Sequence, residues 1–183
     1  MKNYTIESKY FESLNIDTLK NLLNESNSLL KETQDSIKSI TDKSNDLFKI
    51  LIVVVTALIG FVFTNYATYP TLILSGYYIF AFGILLYKLY FIVYPKLNAL
   101  VGIVPKNILL KQMIGNNIDN NEKRFVFVML QSKQRGIDNN KILHHELFMK
   151  YKSIIRLLLI TIASSIVIFL LCHLYLNLFP YMC

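Results

Sequence analysis

Three long apolar runs, separated by gaps of very different charge, constrain this chain more than any other feature. The runs cover residues 50–63, 71–94 and 157–176. The hydrocarbon core of a bilayer is about 30 Å thick, and a helix needs roughly 20 apolar residues to cross it. Each run approaches or exceeds that length once its borders are included. The sequence therefore predicts an all-α integral membrane protein with three transmembrane helices.

The gaps between the runs predict an orientation. Residues 1–49 carry seven Lys and eight acidic residues, and residues 95–156 carry eleven Lys or Arg against four acidic residues. The connector 64–70 and the tail 177–183 carry no charge. Because basic residues close to membrane ends stay in the cytoplasm, both charged gaps are expected inside. The prediction is a multi-pass membrane protein with a cytoplasmic N-terminus.

These boundaries divide the chain into five predicted segments. They are a heptad-like cytoplasmic helix (1–46), a transmembrane hairpin (47–94, with spans at about 48–66 and 71–94), a basic cytoplasmic helical unit (95–152), a third span (153–179) and an external tail (180–183). The basic unit is expected to contain short helices separated by polar turns. Its predicted parts are a helix at 105–113, a loop at 115–121, a helix or strand within 122–135, a break at 136–140 and a helix that continues into the third span.

Apolar residues recur at alternating spacings of four and three along the N-terminal segment, which predicts a heptad seam. The seam consists of Leu19, Leu23, Leu30, Ile37, Ile40 and Leu47, with Ser26, Thr33 and Ser44 at the intervening positions. The same register enters the first apolar run without a Pro or Gly before Gly60, so one helix over about 17–66 is expected. Asn15 or Asp17 is the predicted N-cap. The seam packs either on residues 105–150 of its own chain or on another copy.

Small residues within the runs indicate where helices can approach closely. The candidate interface or pore positions are Thr56, Gly60, Gly76, Gly83, Ala163 and Ser164. Lys88 has two interpretations: its ammonium reaches the headgroups, or it lines a water-filled lumen and disfavours the passage of cations. Three spans enclose too little space for a conducting path, so a pore would require a homo-oligomer.

No phosphate-binding loop, nucleophile motif or metal-ligand spacing is present in the sequence, and neither a metal nor another cofactor is expected. The cluster that most resembles a site combines Arg135 with His144 and His145. An arginine can hold an RNA phosphate while an imidazole acts as acid or base. The other interpretation is a basic helical surface that contacts anionic lipid headgroups or a soluble partner.

The long N-terminal helix, the tight hairpin at 48–94 and the further helices resemble the membrane effectors of prokaryotic antiviral systems. The most similar family is the accessory membrane proteins of type VI-B CRISPR loci. That resemblance implies a divergent HEPN-like helical domain, an oligomeric pore in a bacterial inner membrane, and an RNA-guided nuclease or an RNA signal as partner. HEPN ribonucleases carry Arg and His four to six residues apart, whereas eight residues separate Arg135 from His144. Two-span SLATT effectors are similar in the hairpin, but they lack the run at 157–176.

The leading expectation is a non-enzymatic, homo-oligomeric inner-membrane pore or membrane-perturbing effector in antiviral defence. Two alternatives remain open: a membrane-tethered HEPN-like ribonuclease, and a membrane scaffold that recruits a soluble partner through its basic helices. The lipid bilayer, including its anionic lipids, is an expected partner, and DNA is not.

Overall fold

A computed structural model describes the backbone of residues 14–64, 69–94 and 118–178, and the side chains of 14–63, 71–94 and 121–174. Within these ranges the chain is helical, without strands. The three helices are α1 (Ile16–Thr64), α2 (Tyr69–Val93) and α3 (Ile118–Leu178). Each contains a stretch that is long and apolar enough to cross a membrane. The predicted all-α class and its three candidate membrane helices are therefore confirmed.

α1 is a single helix of 49 residues. The backbone carbonyl of Asn15 accepts a 3.1 Å hydrogen bond from the amide of Leu19, which places Asn15 at the N-cap. Asp17 puts a carboxylate in the first turn, where the helix dipole stabilises a negative charge. The N-terminal segment and the first apolar run thus share one helix, as the uninterrupted heptad register predicted.

α3 corrects two predictions for the basic segment, the loop and the break, and for 122–135 it agrees with the predicted helix over the alternative strand. It is one helix of 61 residues, so there is no break at 136–140, no loop over 118–121 and no strand at 124–130. Gly136 within a helix costs about 1 kcal/mol relative to Ala. Burial of the Ile137 side chain beside it contributes about 1.5–3 kcal/mol, which exceeds that local cost. The predicted helix at 105–113 lies outside the described residues.

The chain forms two compact units, and the first consists of Met1–Lys38 and Lys96–His145. In its core, Leu19 of α1 packs against a patch of α3, with Leu14 and Leu23 at the edge of the cluster. The α3 residues of this patch are Val126, Phe127 and Leu130. This packing explains why an apolar stretch as long as 125–130 is compatible with a helix that also carries many charges.

The second unit consists of Ser39–Pro95 and Glu146–Cys183. Tyr77 of α2 and Ser164 of α3 share a short hydrogen bond between their hydroxyl groups. From this contact, buried residues continue towards the C-terminus of α2 and towards the N-terminus of α3, as expected for two helices that pack antiparallel. These residues are Phe82, Leu85, Leu89 and Ile92 on α2, and Leu147, Ile154 and Thr161 on α3.

Candidate functional site

α2 has two opposite faces, and the chain uses only one of them for its own packing. The buried face carries Ser75, Phe82, Leu85, Leu89 and Ile92. The opposite face, here named the outward face, carries Gly76, Phe80, Gly83, Tyr87, Tyr90 and Tyr94, all of them exposed. With 3.6 residues per turn, Leu85 lies about 180° from Gly76 around the helix. The outward face repeats at spacings of four and three, which is the period of a helix that packs against another helix.

Within the described chain, no steric contact requires a glycine at either of the two glycine positions of the outward face. A Cβ atom built on Gly76 or Gly83 meets no neighbouring atom within 4 Å. Neither residue has a positive φ angle, so the backbone does not require glycine either. The glycines leave two shallow recesses, one heptad apart, between large exposed rings such as Phe80, which is 70% exposed.

The C-terminal end of the outward face is a ladder of exposed aromatic rings. The rings of Tyr87 and Phe91 meet edge to face at a centroid distance of 5.0 Å, and Tyr90 and Phe91 do so at 5.7 Å. Tyr90 and Tyr94 are 5.4 Å apart. Such pairs each contribute about 0.5–1.5 kcal/mol beyond the area that they bury.

The other candidate interface residues are distributed over all three helices. Gly60 of α1 and Ala163 of α3 are exposed, and a Cβ on Gly60 meets no atom within 4 Å. The hydroxyl of Thr56 donates a 2.9 Å hydrogen bond to the carbonyl of Ile52 in its own helix. Ser164 is different, because its hydroxyl bonds to Tyr77 within the subunit. It is an internal contact and not a free interface position.

The predicted oligomer seam on α1 is largely covered by the chain itself. Leu19, Leu30, Ile37 and Ile40 are buried, and Leu23 and Leu47 are half-buried. In the first unit, the amide of Asn140 on α3 donates a 3.3 Å hydrogen bond to the hydroxyl of Thr33. These contacts favour the intrachain alternative for the seam. The exposed apolar side chains of α1 lie mostly in its C-terminal half, from Ile50 onwards.

The candidate ribonuclease residues do not converge. Arg135, His144 and His145 all lie on α3, whereas the predicted break would have allowed the arginine to fold back towards the histidines. His144 is nine positions after Arg135, which corresponds to about 14 Å along the axis and about 180° around it. The two side chains of one subunit therefore cannot hold the same phosphate. Among the described residues, no group of His, Cys, Asp or Glu is arranged to hold a metal ion.

Charged contacts in the first unit lie on its surface. Lys20 of α1 and Glu122 of α3 form a 2.7 Å ion pair with both side chains about half exposed. The hydrogen bond and the negative charge of Glu122 raise the pKa of Lys20 above its ordinary value of 10.5. This pair joins two helices that are distant in sequence, but it resembles no catalytic arrangement.

The sequence interpretation identified Gly76 and Gly83 but missed the rest of the outward face. Phe80, Tyr87, Tyr90 and Tyr94 were available from the same spacing of four and three. Comparisons with models of protein families, with curated proteins and with solved structures return no match for this chain.

Proposed function

We propose that this chain is a three-span membrane protein that self-associates through the outward face of α2. In this proposal the assembly perforates or perturbs a bacterial inner membrane in antiviral defence. The observation that carries self-association is the pair of exposed glycines, Gly76 and Gly83, set one heptad apart between exposed aromatic rings.

The glycines favour a protein partner over lipid. Each glycine in a helix interior costs about 1 kcal/mol relative to alanine. Lipid chains impose no requirement for glycine, since a leucine or isoleucine faces them equally well. Helices in membranes associate by close backbone approach and van der Waals packing, for which small residues are needed. A second copy of α2 can place its Phe80 or Tyr87 in the recess that a glycine leaves.

A conducting path would have to run between copies. The interior of the second unit is filled by Phe82, Leu85 and Leu89, which are buried. The buried polar groups Ser75, Thr161 and Ser165 also face the inside of the chain. The part of one subunit that the structure describes therefore offers no passage, and the pore in this proposal is enclosed by several subunits. Lys88, exposed on the flank of α2, would then be close to the lumen or to the headgroups.

The defence role, the inner-membrane location and an RNA-guided nuclease or RNA signal as partner are proposed on the resemblance. The cytoplasmic placement of the N-terminus is proposed on the distribution of Lys and Arg. The ribonuclease alternative loses support because Arg135 and His144 lie on opposite sides of α3.

The decisive experiment introduces bulk at small exposed positions on different helices. Gly83→Leu fills the outward face of α2, whereas Gly60→Leu and Ala163→Leu alter α1 and α3 as matched controls. No described neighbour crowds the Cβ position of either glycine, so the subunit fold should tolerate these changes. The readouts are particle mass in mild detergent and dye release from liposomes.

We expect Gly83→Leu to reduce both the assembly and the dye release at least tenfold, with smaller effects for the two controls. The proposal of an α2 interface is wrong if Gly83→Leu assembles normally while a control does not. Self-association itself is wrong if the unmodified chain is monomeric. The pore role is wrong if an assembled protein neither releases dye nor depolarises cells.

A further inference from the structure

Four cations of the second unit have no acidic partner among the described residues, namely Lys43 on α1 and three cations on the other two helices. Lys88 on α2 and Lys152 and Arg156 on α3 are exposed, and no described carboxylate pairs with them. The situation differs from that of their neighbours. Lys49 lies 3.7 Å from Asp46, and Lys150 lies 2.6 Å from Glu146. We propose that Lys88, Lys152 and Arg156, here named the cation belt, bind the phosphate headgroups of anionic phospholipids.

The three cations lie at similar depth along the bundle. The contact between Tyr77 and Ser164 fixes the register of the antiparallel helices α2 and α3. At 1.5 Å per residue, Lys88 is about 16 Å from this level, Lys152 about 18 Å and Arg156 about 12 Å. All three are displaced in the same direction because the helices run antiparallel. The cations thus form a layer about 6 Å deep, which is comparable to a headgroup layer.

Lys152 and Arg156 lie together on the outer side of α3. They are four residues apart, and they face away from Ile154, which is buried in the unit. Two like charges at this spacing repel each other on an isolated helix. An anion between the two side chains removes that repulsion. A phosphodiester with one negative charge satisfies the ammonium and the guanidinium together, and guanidinium binds phosphate in bidentate geometry.

The position of the belt relative to the apolar surface identifies the anion as a lipid. Residues 157–172 of α3 contain no charged side chain. His173, stacked on Phe169, is the first ionisable imidazole beyond that stretch. Arg156 and His173 are 17 residues apart, or about 26 Å of helix, close to the thickness of a hydrocarbon core. The belt therefore coincides with one boundary of that core, where phospholipid phosphates lie.

The aromatic ladder of α2 supports the same assignment. Tyr90 is exposed on the turn of α2 that carries Lys88, whereas Tyr94 lies about 9 Å further along the chain. Tyrosines at membrane boundaries keep the ring in the apolar layer and direct the hydroxyl towards the headgroups. The phenol of Tyr90 thus provides a hydrogen-bond donor near the cations.

The test measures which lipids the full-length protein retains. The chain is reconstituted into vesicles containing equal parts of phosphatidylglycerol and phosphatidylcholine, extracted in mild detergent, and its bound lipids are counted by native mass spectrometry. The variants are Lys88→Gln, Lys152→Gln, Arg156→Gln and the triple variant. Lys31→Gln is the control, because Lys31 is exposed on α1 about 28 Å of helix before Ile50.

We expect the unmodified chain to prefer phosphatidylglycerol. The preference should fall roughly fivefold with each cation removed, as expected for a juxtamembrane charge. Lys31→Gln should leave the preference unchanged. Arg156→Lys, which keeps the charge but loses the bidentate geometry, should reduce the preference less than Arg156→Gln does. Circular dichroism is used to check that each variant is folded. The inference is wrong if the folded triple variant keeps the preference, if Lys31→Gln loses it equally, or if millimolar inorganic phosphate displaces the lipid, which would indicate a site for free anions. Lipid preference is measured separately from particle mass, so its failure is distinguishable from failure of the α2 interface.

Discussion

The two halves of α1 continue one heptad register but differ in what covers it. In the first half, Leu19 is fully buried and Ile37 is 3% exposed, because the chain supplies its own partner. In the apolar half, Leu51 at its start is still buried, whereas Val54 and Phe61 further along the same register are 36% and 46% exposed. The comparison teaches that a heptad period reports a packing face without identifying its partner. In water the partner must be protein, whereas in a membrane it can be protein or lipid.

The largest expected effect tests the N-terminal half of α1, here named the covered half because other parts of the chain bury its seam. Leu19→Ala removes a fully buried side chain from the cluster with Val126, Phe127 and Leu130. We expect the free energy of unfolding to fall by about 2–5 kcal/mol, the usual range for Leu→Ala in a core. Leu29→Ala is the control on the same helix, since Leu29 is half exposed. Urea unfolding in mild detergent, followed by helical circular dichroism, measures both. Equal losses would contradict the assignment of a one-sided seam.

The next effect concerns the polar contact within the same covered half. Asn140 is 1% exposed and donates its amide to Thr33, whose hydroxyl in turn donates to the carbonyl of Leu30 at 2.8 Å. Asn140→Ala should cost about 1–3 kcal/mol, because a buried hydrogen bond and its packing are lost.

A double-mutant cycle with Thr33→Val isolates the contact. A coupling free energy of about 0.5–1.5 kcal/mol is expected for two groups that bond directly. Additive losses would mean that the two residues act separately, and that Asn140 is retained for another reason.

The parts of the fold that depend on local pattern were predictable. Run length and period give the three candidate membrane helices and the continuity of α1, since both are properties of neighbouring residues. The continuity of α3 was not predictable in this way. Gly136 and the polar residues after it favour a turn locally, and only the burial of Ile137 and Asn140 by other parts of the unit reverses that preference.

The candidate site was likewise predictable only in part. The spacing of Gly76 and Gly83 was evident from the sequence, but α2 is apolar on all sides, so hydropathy could not show which face packs within the chain. The separation of Arg135 from His144 follows from the continuity of α3. It could not be predicted, because that continuity depends on packing and not on local pattern. The sequence predicted the spacing of residues along one helix, but it did not predict which element packs against each face of that helix.

A smaller effect distinguishes two serines of the seam. The hydroxyl of Ser26 donates a 2.8 Å hydrogen bond to the carbonyl of Leu23. Ser44 is fully buried, and its hydroxyl has no partner among the described residues. Both Ser→Ala changes gain the same helix propensity. Ser44→Ala should therefore be the more stabilising, by about 1 kcal/mol, because a buried hydroxyl without a partner carries an uncompensated desolvation cost. The same unfolding measurement checks this, and the reverse order would contradict it.

The smallest effect is expected at the surface pair that joins the two helices of the covered half. Because Glu122 raises the pKa of Lys20, the pair stabilises the fold fully below pH 10.5, and that contribution is lost as the pH rises through the folded-state pKa of Lys20. Glu122→Gln should lower stability slightly at pH 7.5, and less in high salt, since both side chains are about half exposed.

The difference between Glu122→Gln and the unmodified chain should shrink above the folded-state pKa of Lys20. Glu25→Gln is the control, because Glu25 is an exposed acid on α1. The stability difference for this variant should not depend on pH in the same way. A difference that persists unchanged after Lys20 has lost its proton would show that Glu122 stabilises α3 by itself, through its position near the helix N-terminus. The joining of α1 and α3 would then depend on the apolar seam and on Asn140 without help from the ion pair.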